Sequence, residues 1–242
     1  FPGTDGFALL LLLTYLCLMV SFGIFLQIRE VAPPDAGRHA SARSLSQNVQ
    51  RMLRILREDA PFRALMLSRL LSFAYLLPAP FLGIHALRST GQPDAWLGNL
   101  VFLQMLGGVL GNAAAALLGD RIGGKAILFM SNGTLLAVCA LLLVAEAPLV
   151  FQLLFLLYGG GFALQNVGFS TIFSRTIPAG SRPSYVALQG GLTLPVLLVA
   201  AALGGFLMET GQGIFPVALL AFLLLVASTW VLRKVPEAPL AG

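Results

Sequence analysis

Long apolar runs divide the chain into a series of candidate membrane-spanning helices. Six runs contain no Asp, Glu, Lys or Arg: 7–28, 95–119, 126–145, 147–174, 183–208 and 210–232. A seventh run, 62–86, is also apolar but contains Arg63, Arg69 and His85. A helix needs about 20 residues to cross the hydrocarbon core, where its backbone groups must be hydrogen-bonded internally. The pattern therefore predicts an all-α membrane protein with seven transmembrane helices.

The segment 29–61 lacks this pattern, and we expect it to be a cytoplasmic linker. From 44 to 58 the spacing predicts an amphipathic helix, which a capping box at Ser44 and Gln47 would begin. Its apolar face comprises Leu45, Val49, Met52, Leu53 and Leu56. Such a basic helix either lies on the inner membrane surface or packs against the underside of the bundle, and the two are compatible. Asp59 and Pro61 then predict the start of the second spanning helix, as cap and early-turn proline.

Composition supports the membrane class. Hydrophobic residues make up 57% of the 242 residues and charged residues 10%, whereas soluble domains have roughly 25% charged residues. This apolar fraction is too high for a disordered chain or a nucleic-acid-binding protein. We therefore expect the lipid bilayer as a partner and no nucleic acid.

Positive charge orients the predicted helices. With the first residue outside, 13 of the 15 Lys and Arg residues fall on the inner side, while Arg88 lies outside and Arg69 within a helix. The inner set is Arg29, Arg38, Arg43, Arg51, Arg54, Arg57, Arg63, Arg121, Lys125, Arg175, Arg182, Arg233 and Lys234. The positive-inside rule then predicts an N-out/C-in topology.

The short connection 119–125 has two interpretations. Its glycines and Lys125 nearly match a phosphate-binding loop, but residue 126 is Ala instead of Ser or Thr, and both flanks are membrane spans. The connection also resembles the tight cytoplasmic turn of the major facilitator superfamily, Gly-x-x-x-Asp-basic-x-Gly-basic-basic. Asp120, Arg121, Gly123 and Lys125 match that turn, while Ala116 and Gly124 depart from it. On physical grounds alone, Gly123 permits a positive φ in so short a connection.

The order of segments resembles the same family over essentially the whole chain. One helix (1–28), a long basic loop (29–61) and six closely spaced helices (62–234) are similar to helices 6 to 12 of a twelve-helix transporter, followed by a tail (235–242). The stretch 175–191 is similar to the inner connection between helices 10 and 11. On this resemblance the chain is a fragment whose N-terminal half, with five helices, is missing. The first residue, Phe1 instead of Met, agrees with that expectation.

The resemblance implies secondary active transport of a small-molecule substrate by alternating access, as efflux or uptake, in the plasma (cell inner) membrane. From the residues themselves we expect no cofactor and no enzymatic reaction, since nothing in the chain resembles a nucleophile-base-acid set. Substrate would bind near the midplane, between the two halves. The resemblance also assigns 126–145 and 210–232 to the lipid-facing side, and the other long helices of the C-terminal half to the cavity.

Polar residues within the cavity helices are candidates for the substrate site, because such residues are costly in lipid. They are Tyr75, Gln104, Gln165, Asn166 and Gln189. The alternative for each amide is a hydrogen bond between helices. Pro78 and Pro80 should kink the helix that contains Tyr75. Gly107, Gly111, Ala115 and Gly119 form a ridge of small residues that permits close helix packing.

Arg69 is the one basic residue well inside a span. We favour snorkelling to the inner surface or a structural pairing over contact with an anionic substrate. The principal alternative for the whole chain is a seven-helix receptor, which fits the N-out/C-in topology. Both cysteines lie in spans and the outer loops are short, and these features favour the transporter. Two separated histidines give no metal site.

By resemblance, Asp120 and Arg175 form a cytoplasmic charge pair that holds the inward gate shut. Reversing either charge should impair transport, and the double swap Asp120→Arg with Arg175→Asp should partly restore it, because only the double variant keeps opposite charges together. Uptake measured on the complete transporter checks this. Additive loss in the double variant would contradict the pair.

Overall fold

The computed structural model describes residues 4–27, 45–177, 181–209 and 213–236. Every regular element in these ranges is helical. The helices are α1 (Thr4–Phe25), α2 (Leu45–Glu58), α3 (Ala60–Ser72), α4 (Ala79–Thr90), α5 (Trp96–Leu142), α6 (Pro148–Thr176), α7 (Arg182–Glu209) and α8 (Phe215–Leu232). The chain divides into two units, Phe1–Leu45 with α1 and Ser46–Gly242 with the other helices.

Six helical segments of the described chain are long and apolar enough to cross a membrane. They are Ala60–Thr90, Trp96–Gly119, Arg121–Leu142, Pro148–Thr176, Arg182–Met208 and Phe215–Leu232. The predicted seventh span, 7–28, corresponds to α1, whose apolar part Leu11–Phe25 is shorter. The all-helical membrane class is therefore confirmed, with six long spans and one shorter apolar helix.

The first span of the larger unit is broken near its middle. Asp59 caps α3, since its Oδ1 accepts a hydrogen bond from the Phe62 backbone nitrogen (2.9 Å), and Pro61 lies in the first turn. After Ser72 the chain forms one turn of 3₁₀ helix, Phe73–Leu76, and α4 starts after Pro78. Pro78 and Pro80 lack the backbone N–H that a continuous helix would use. The predicted cap and the predicted kink are both confirmed.

Gly123 divides α5 into two limbs, Trp96–Gly119 and Arg121–Leu142. Its φ of 79° and ψ of 163° lie in a region that is essentially accessible only to glycine. The chain folds back there, and the two limbs come into contact: a Cβ placed on Gly119 would lie 3.2 Å from Cδ1 of Ile127. The positive φ expected at Gly123 is therefore present.

The first limb of α5 crosses α6 at backbone contact distance. A side chain on Gly107 would overlap the Leu156 carbonyl, and one on Gly159 would overlap the Gln104 carbonyl. A Cβ on Gly111 would lie 2.6 Å from the Gly160 carbonyl oxygen. The small-residue ridge therefore packs against the triple glycine of α6, and neither helix tolerates a side chain at the crossing.

Large side chains fill the bundle on either side of this crossing. One buried cluster gathers α4, the second limb of α5, α6 and α8 around Phe151, Leu154 and Leu225. A second cluster lies where α3 begins and α8 ends, around Phe62 and Leu232. Met52, Ile55 and Leu56 of α2 pack against this second cluster. Met52 and Leu56 of the predicted apolar face therefore contact the bundle, together with Ile55, whereas Leu53 of that face is exposed.

Burial differs among the spanning helices. Within an 18-residue apolar window of each, 44% of the residues are buried in the second limb of α5 and 33% in α8. The corresponding shares are 22% for the first limb of α5 and 11% for α7. The lipid-facing side expected for 126–145 and 210–232 stays a prediction, since α8 buries Ala218, Ala221 and Ser228 on one face and exposes Leu223 and Trp230 on another. Small side chains allow close approach between helices.

Replacing Gly107 by Ala should destabilise the bundle by roughly 1–3 kcal/mol, because the added methyl group overlaps the Leu156 carbonyl. Gly98→Ala in the same limb is the matched control, since no atom lies within 4 Å of its Cβ position. Thermal unfolding of the purified chain in detergent measures both. Equal melting temperatures for the two variants would contradict the glycine crossing.

Candidate functional site

The guanidinium group of Arg69 lies inside the bundle. The residue is 8% exposed. Nη1 donates to the Gln165 carbonyl oxygen (3.3 Å), and Nη2 donates to Oδ1 of Asn166 (2.9 Å). The rings of Phe73 and Phe169 lie on it, each with its centroid 4.7 Å from Cζ. Arg69 therefore does not snorkel to the membrane surface, because α6 and two aromatic rings bind its head group.

Gln165 joins three helices through its side-chain amide. Nε2 donates to the Ser72 hydroxyl (2.6 Å), and Oε1 accepts from the Ser131 hydroxyl (2.9 Å). The Ser72 hydroxyl in turn donates to the Arg69 carbonyl oxygen (2.7 Å). We call Arg69, Ser72, Ser131, Gln165 and Asn166 the Arg69 cluster. It connects α3, the second limb of α5 and α6 inside the apolar bundle.

The positive charge of the Arg69 cluster is not neutralised within the described chain. None of the described carboxylates pairs with Arg69, and its buried Nε has no hydrogen-bond acceptor among the described residues. Carbonyl and amide oxygens and the faces of two rings offset part of the cost of burying the charge. A guanidinium fork is the group that binds carboxylates and phosphates through paired N–H donors, and here one N–H of each terminal nitrogen is bonded to α6.

The other predicted cavity residues occupy separate positions. Tyr75 lies in the 3₁₀ turn and is only 2% exposed. The centroid of its ring lies 6.0 Å from that of Tyr158 and 6.1 Å from that of Phe162. Gln104 and Gln189 are half-buried, and no hydrogen bond links either to the Arg69 cluster in the described ranges. The structure therefore brings Arg69, Gln165 and Asn166 together and leaves the other three apart.

A second polar group lies between α3, the second limb of α5 and α8. The Ser228 hydroxyl donates to the Ser68 carbonyl oxygen (2.8 Å). Nδ2 of Asn132 donates to the hydroxyls of Ser228 (3.3 Å) and Thr229 (3.2 Å). The sequence reasoning missed these residues. The available signal was their spacing, since Ser68 and Ser72 lie one helical turn apart, and Asn132 and Thr229 directly follow Ser131 and Ser228 in apolar runs.

The turn at Gly123 is bound to the end of α8. Nζ of Lys125 donates to the carbonyl oxygens of Val235 (2.6 Å) and Arg233 (3.2 Å), which follow the last turn of α8. Arg175 lines a small cavity together with Gly123 and Lys125. The side chain of Asp120 lies outside the described set, so its pairing with Arg175 stays a prediction. Arg121 is exposed.

Comparisons of the chain with protein families, with curated proteins and with solved structures found no match. Six apolar helices of spanning length define a multi-pass, all-helical protein of the membrane class. Between those helices, the buried polar clusters around Arg69 and Ser228 bring together charged, amide and hydroxyl groups.

Gln165→Leu should destabilise the chain by about 1–2 kcal/mol, because it removes two buried hydrogen bonds between helices. The Ser72 and Ser131 hydroxyls each keep a bond to a backbone carbonyl. Gln104→Leu is the matched control, because the side-chain amide of Gln104 makes no hydrogen bond to the described residues. Thermal unfolding in detergent gives the comparison. A loss in Gln104→Leu as large as that in Gln165→Leu would refute the connecting role of Gln165.

Proposed function

We propose that the chain forms the C-terminal part of a secondary active transporter that moves a small solute by alternating access. The observation that carries this proposal is the buried, unneutralised guanidinium of Arg69 within a membrane span. An ionisable group in this environment is costly, and in membrane proteins it usually marks a substrate or ion pathway. Arg69 lies about 14 Å of helix rise from Ala60, well inside a hydrocarbon core of about 30 Å.

The helix break beside Arg69 supports a role in binding. Arg69 lies three residues before the end of α3, and the 3₁₀ turn Phe73–Leu76 follows directly. Transporters commonly place their sites at discontinuous helices, where backbone and side chains can rearrange as the pathway opens. In this proposal Arg69 and Asn166 contact the solute. Gln165 holds them in position, because its own amide is bonded to Ser72 and Ser131.

The proposal takes the major facilitator type and the N-out/C-in orientation from the sequence. The Gly123 turn, with Arg175 beside it, supports this type, because the tight connection and the charged residue meet at one small cavity. In this orientation the turn faces the cytoplasm, and the plasma (cell inner) membrane is the proposed location.

The proposed missing half would contact the least buried helices. The first limb of α5 exposes Phe102, Met105 and Val109, and α7 exposes Leu198 and Phe206. Such apolar surfaces suit lipid or a second apolar bundle. In this proposal the N-terminal half covers part of them, and the substrate pathway runs between the two halves.

Uptake into proteoliposomes that contain the complete reading frame tests the proposal. A mixed library of solutes is offered under an imposed proton gradient, a sodium gradient or none, and accumulated solutes are identified by mass spectrometry. We expect at least one solute to accumulate above protein-free liposomes. A solute that binds the protein but never accumulates would favour the seven-helix receptor, and no accumulation under any gradient would contradict transport.

Arg69→Gln should lower the initial uptake rate of that solute at least tenfold, because the neutral amide removes the buried charge that binds it. Arg69→Lys should retain more activity than Arg69→Gln, because it keeps the charge but not the planar fork. Arg88→Gln is the control, since Arg88 is exposed at the other end of this span, and its rate should stay within twofold of the unmodified protein. Equal rates for Arg69→Gln and Arg88→Gln would exclude Arg69 from the site.

A further inference from the structure

A groove of about 610 Å³ lies where α3 begins and α8 ends. It is lined on the α3 side by Ala60, Pro61, Arg63, Ala64 and Leu67, and on the α8 side by Trp230, Val231, Lys234 and Pro236. The two walls belong to neighbouring helices, since the Ser68 and Ser228 hydroxyls lie 3.2 Å apart. The helices are antiparallel, because the start of α3 at Phe62 shares a buried cluster with the end of α8 at Leu232. The groove is separate from the Arg69 cluster and shares no residue with it.

Each wall of the groove has the same order of side chains. On α3, Arg63 lies one helical turn closer to the membrane boundary than Leu67. On the other wall, Lys234 follows the end of α8, beyond Trp230 in the last turn of that helix. Leu67 is 48% exposed and Trp230 is 58% exposed, so both present apolar surface toward the bilayer. The groove therefore has two cations at its mouth and apolar side chains beneath them.

Both cations are held in position by the surrounding structure. Nη1 of Arg63 donates to the carbonyl oxygens of Leu56 (2.9 Å) and Arg57 (3.1 Å) at the end of α2. This leaves Nε and Nη2 of Arg63 without a hydrogen bond to the described residues. Nζ of Lys234 lies 4.0 Å from the centroid of the Trp230 ring. Fixed positions reduce the entropy that ordering these long side chains on binding would otherwise cost.

None of the described residues that line the groove is acidic. Asp59, which precedes Ala60, directs Oδ2 to the Tyr185 hydroxyl (2.8 Å) and Oδ1 to the Phe62 backbone nitrogen (2.9 Å). The α3 and α8 walls therefore offer a net positive mouth above an apolar channel.

We propose that this groove binds the phosphate head group of an anionic phospholipid, with its acyl chains along Leu67 and Trp230. Arg63 and Lys234 bind the phosphate from opposite walls. Basic pockets between spanning helices at a membrane boundary are the kind of site that selects anionic head groups. The indole ring of Trp230, which contacts Lys234 near the end of α8, belongs to the aromatic side chains that are enriched at membrane interfaces.

Lipid titration of the full chain in detergent, read by native mass spectrometry, tests the site. Phosphatidylglycerol and phosphatidylcholine with identical acyl chains are compared. We expect one phosphatidylglycerol to bind more tightly than phosphatidylcholine. Lys234→Gln should weaken that binding about fivefold, as expected for one cation near a membrane surface. Arg63→Gln should weaken it to a similar extent, and Lys234→Arg should retain it.

Arg233→Gln is the matched control, because Arg233 is exposed, carries the same charge and directly precedes Lys234 but does not line the groove. Its affinity should stay within twofold of the unmodified chain. Equal weakening by Arg233→Gln and Lys234→Gln would show diffuse attraction without a site, and equal affinity for the two lipids would also overturn the proposal.

A second measurement needs no change in the groove itself. The chain has two tryptophans, Trp96 and Trp230, so Trp96→Phe leaves Trp230 as the single tryptophan reporter. Phosphatidylglycerol brominated on its acyl chains should quench the Trp230 fluorescence more strongly than brominated phosphatidylcholine at equal mole fraction. Equal quenching by the two lipids would overturn the proposal even if the Lys234 and Arg63 variants fail to fold.

Discussion

The contact between the backbones of α5 and α6 is the constraint on which the larger unit depends. Glycines at 107 and 159 let each helix approach the carbonyl groups of the other, and any side chain at those positions would force the helices apart. In a membrane there is little hydrophobic drive for helix association, so such close packing is a main source of stability. With the first limb of α5 fixed on α6, the turn at Gly123 returns the second limb to the same helix.

The polar clusters depend on that arrangement. Gln165 reaches Ser131 only because the second limb of α5 returns along α6, and it reaches Ser72 only because α3 lies on the same side. The group around Ser228 then connects α8 to α3 and to the second limb of α5. A single hydroxyl or amide without a partner in an apolar interior would lower the stability of the fold, whereas together these groups satisfy most of one another's hydrogen bonds. Among the described residues, Nε of Arg69, Oδ1 of Asn132 and the Thr193 hydroxyl are buried without a hydrogen-bond partner. Arg69 is the charged residue of the three, and the proposed binding role rests on it.

Local features of the fold could be read from the sequence because their causes are local. The cap at Asp59, the break before Pro78 and the unusual backbone at Gly123 each follow from the residue that causes them. The sequence of 126–145 and 210–232 does not show which of their residues are buried, because low polarity alone does not determine burial. A serine such as Ser228, and alanines such as Ala218, pack inside as readily as they face lipid.

The candidate site could be predicted only in part. A buried charge and amides in apolar runs are visible in a sequence, so Arg69, Gln165 and Asn166 were recognised as unusual. Which of them meet is decided by the rotation of each helix about its axis, and no local pattern encodes that rotation. Gln104 and Gln189 have the same chemistry as Gln165 but lie on other helix faces. Ser72 and Ser131 carry no signal by themselves, because a single hydroxyl is common in spanning helices.

The brevity of the turn between the two limbs of α5 also bears on how the protein enters the bilayer. One span ends at Gly119 and the next begins at Arg121, so the two cannot partition into the membrane far apart in time or space. They are suited to insertion as a single helical hairpin, whose two limbs take their orientation in one event. The Arg and Lys residues at the tip of that hairpin then decide on which side of the membrane both limbs start and finish.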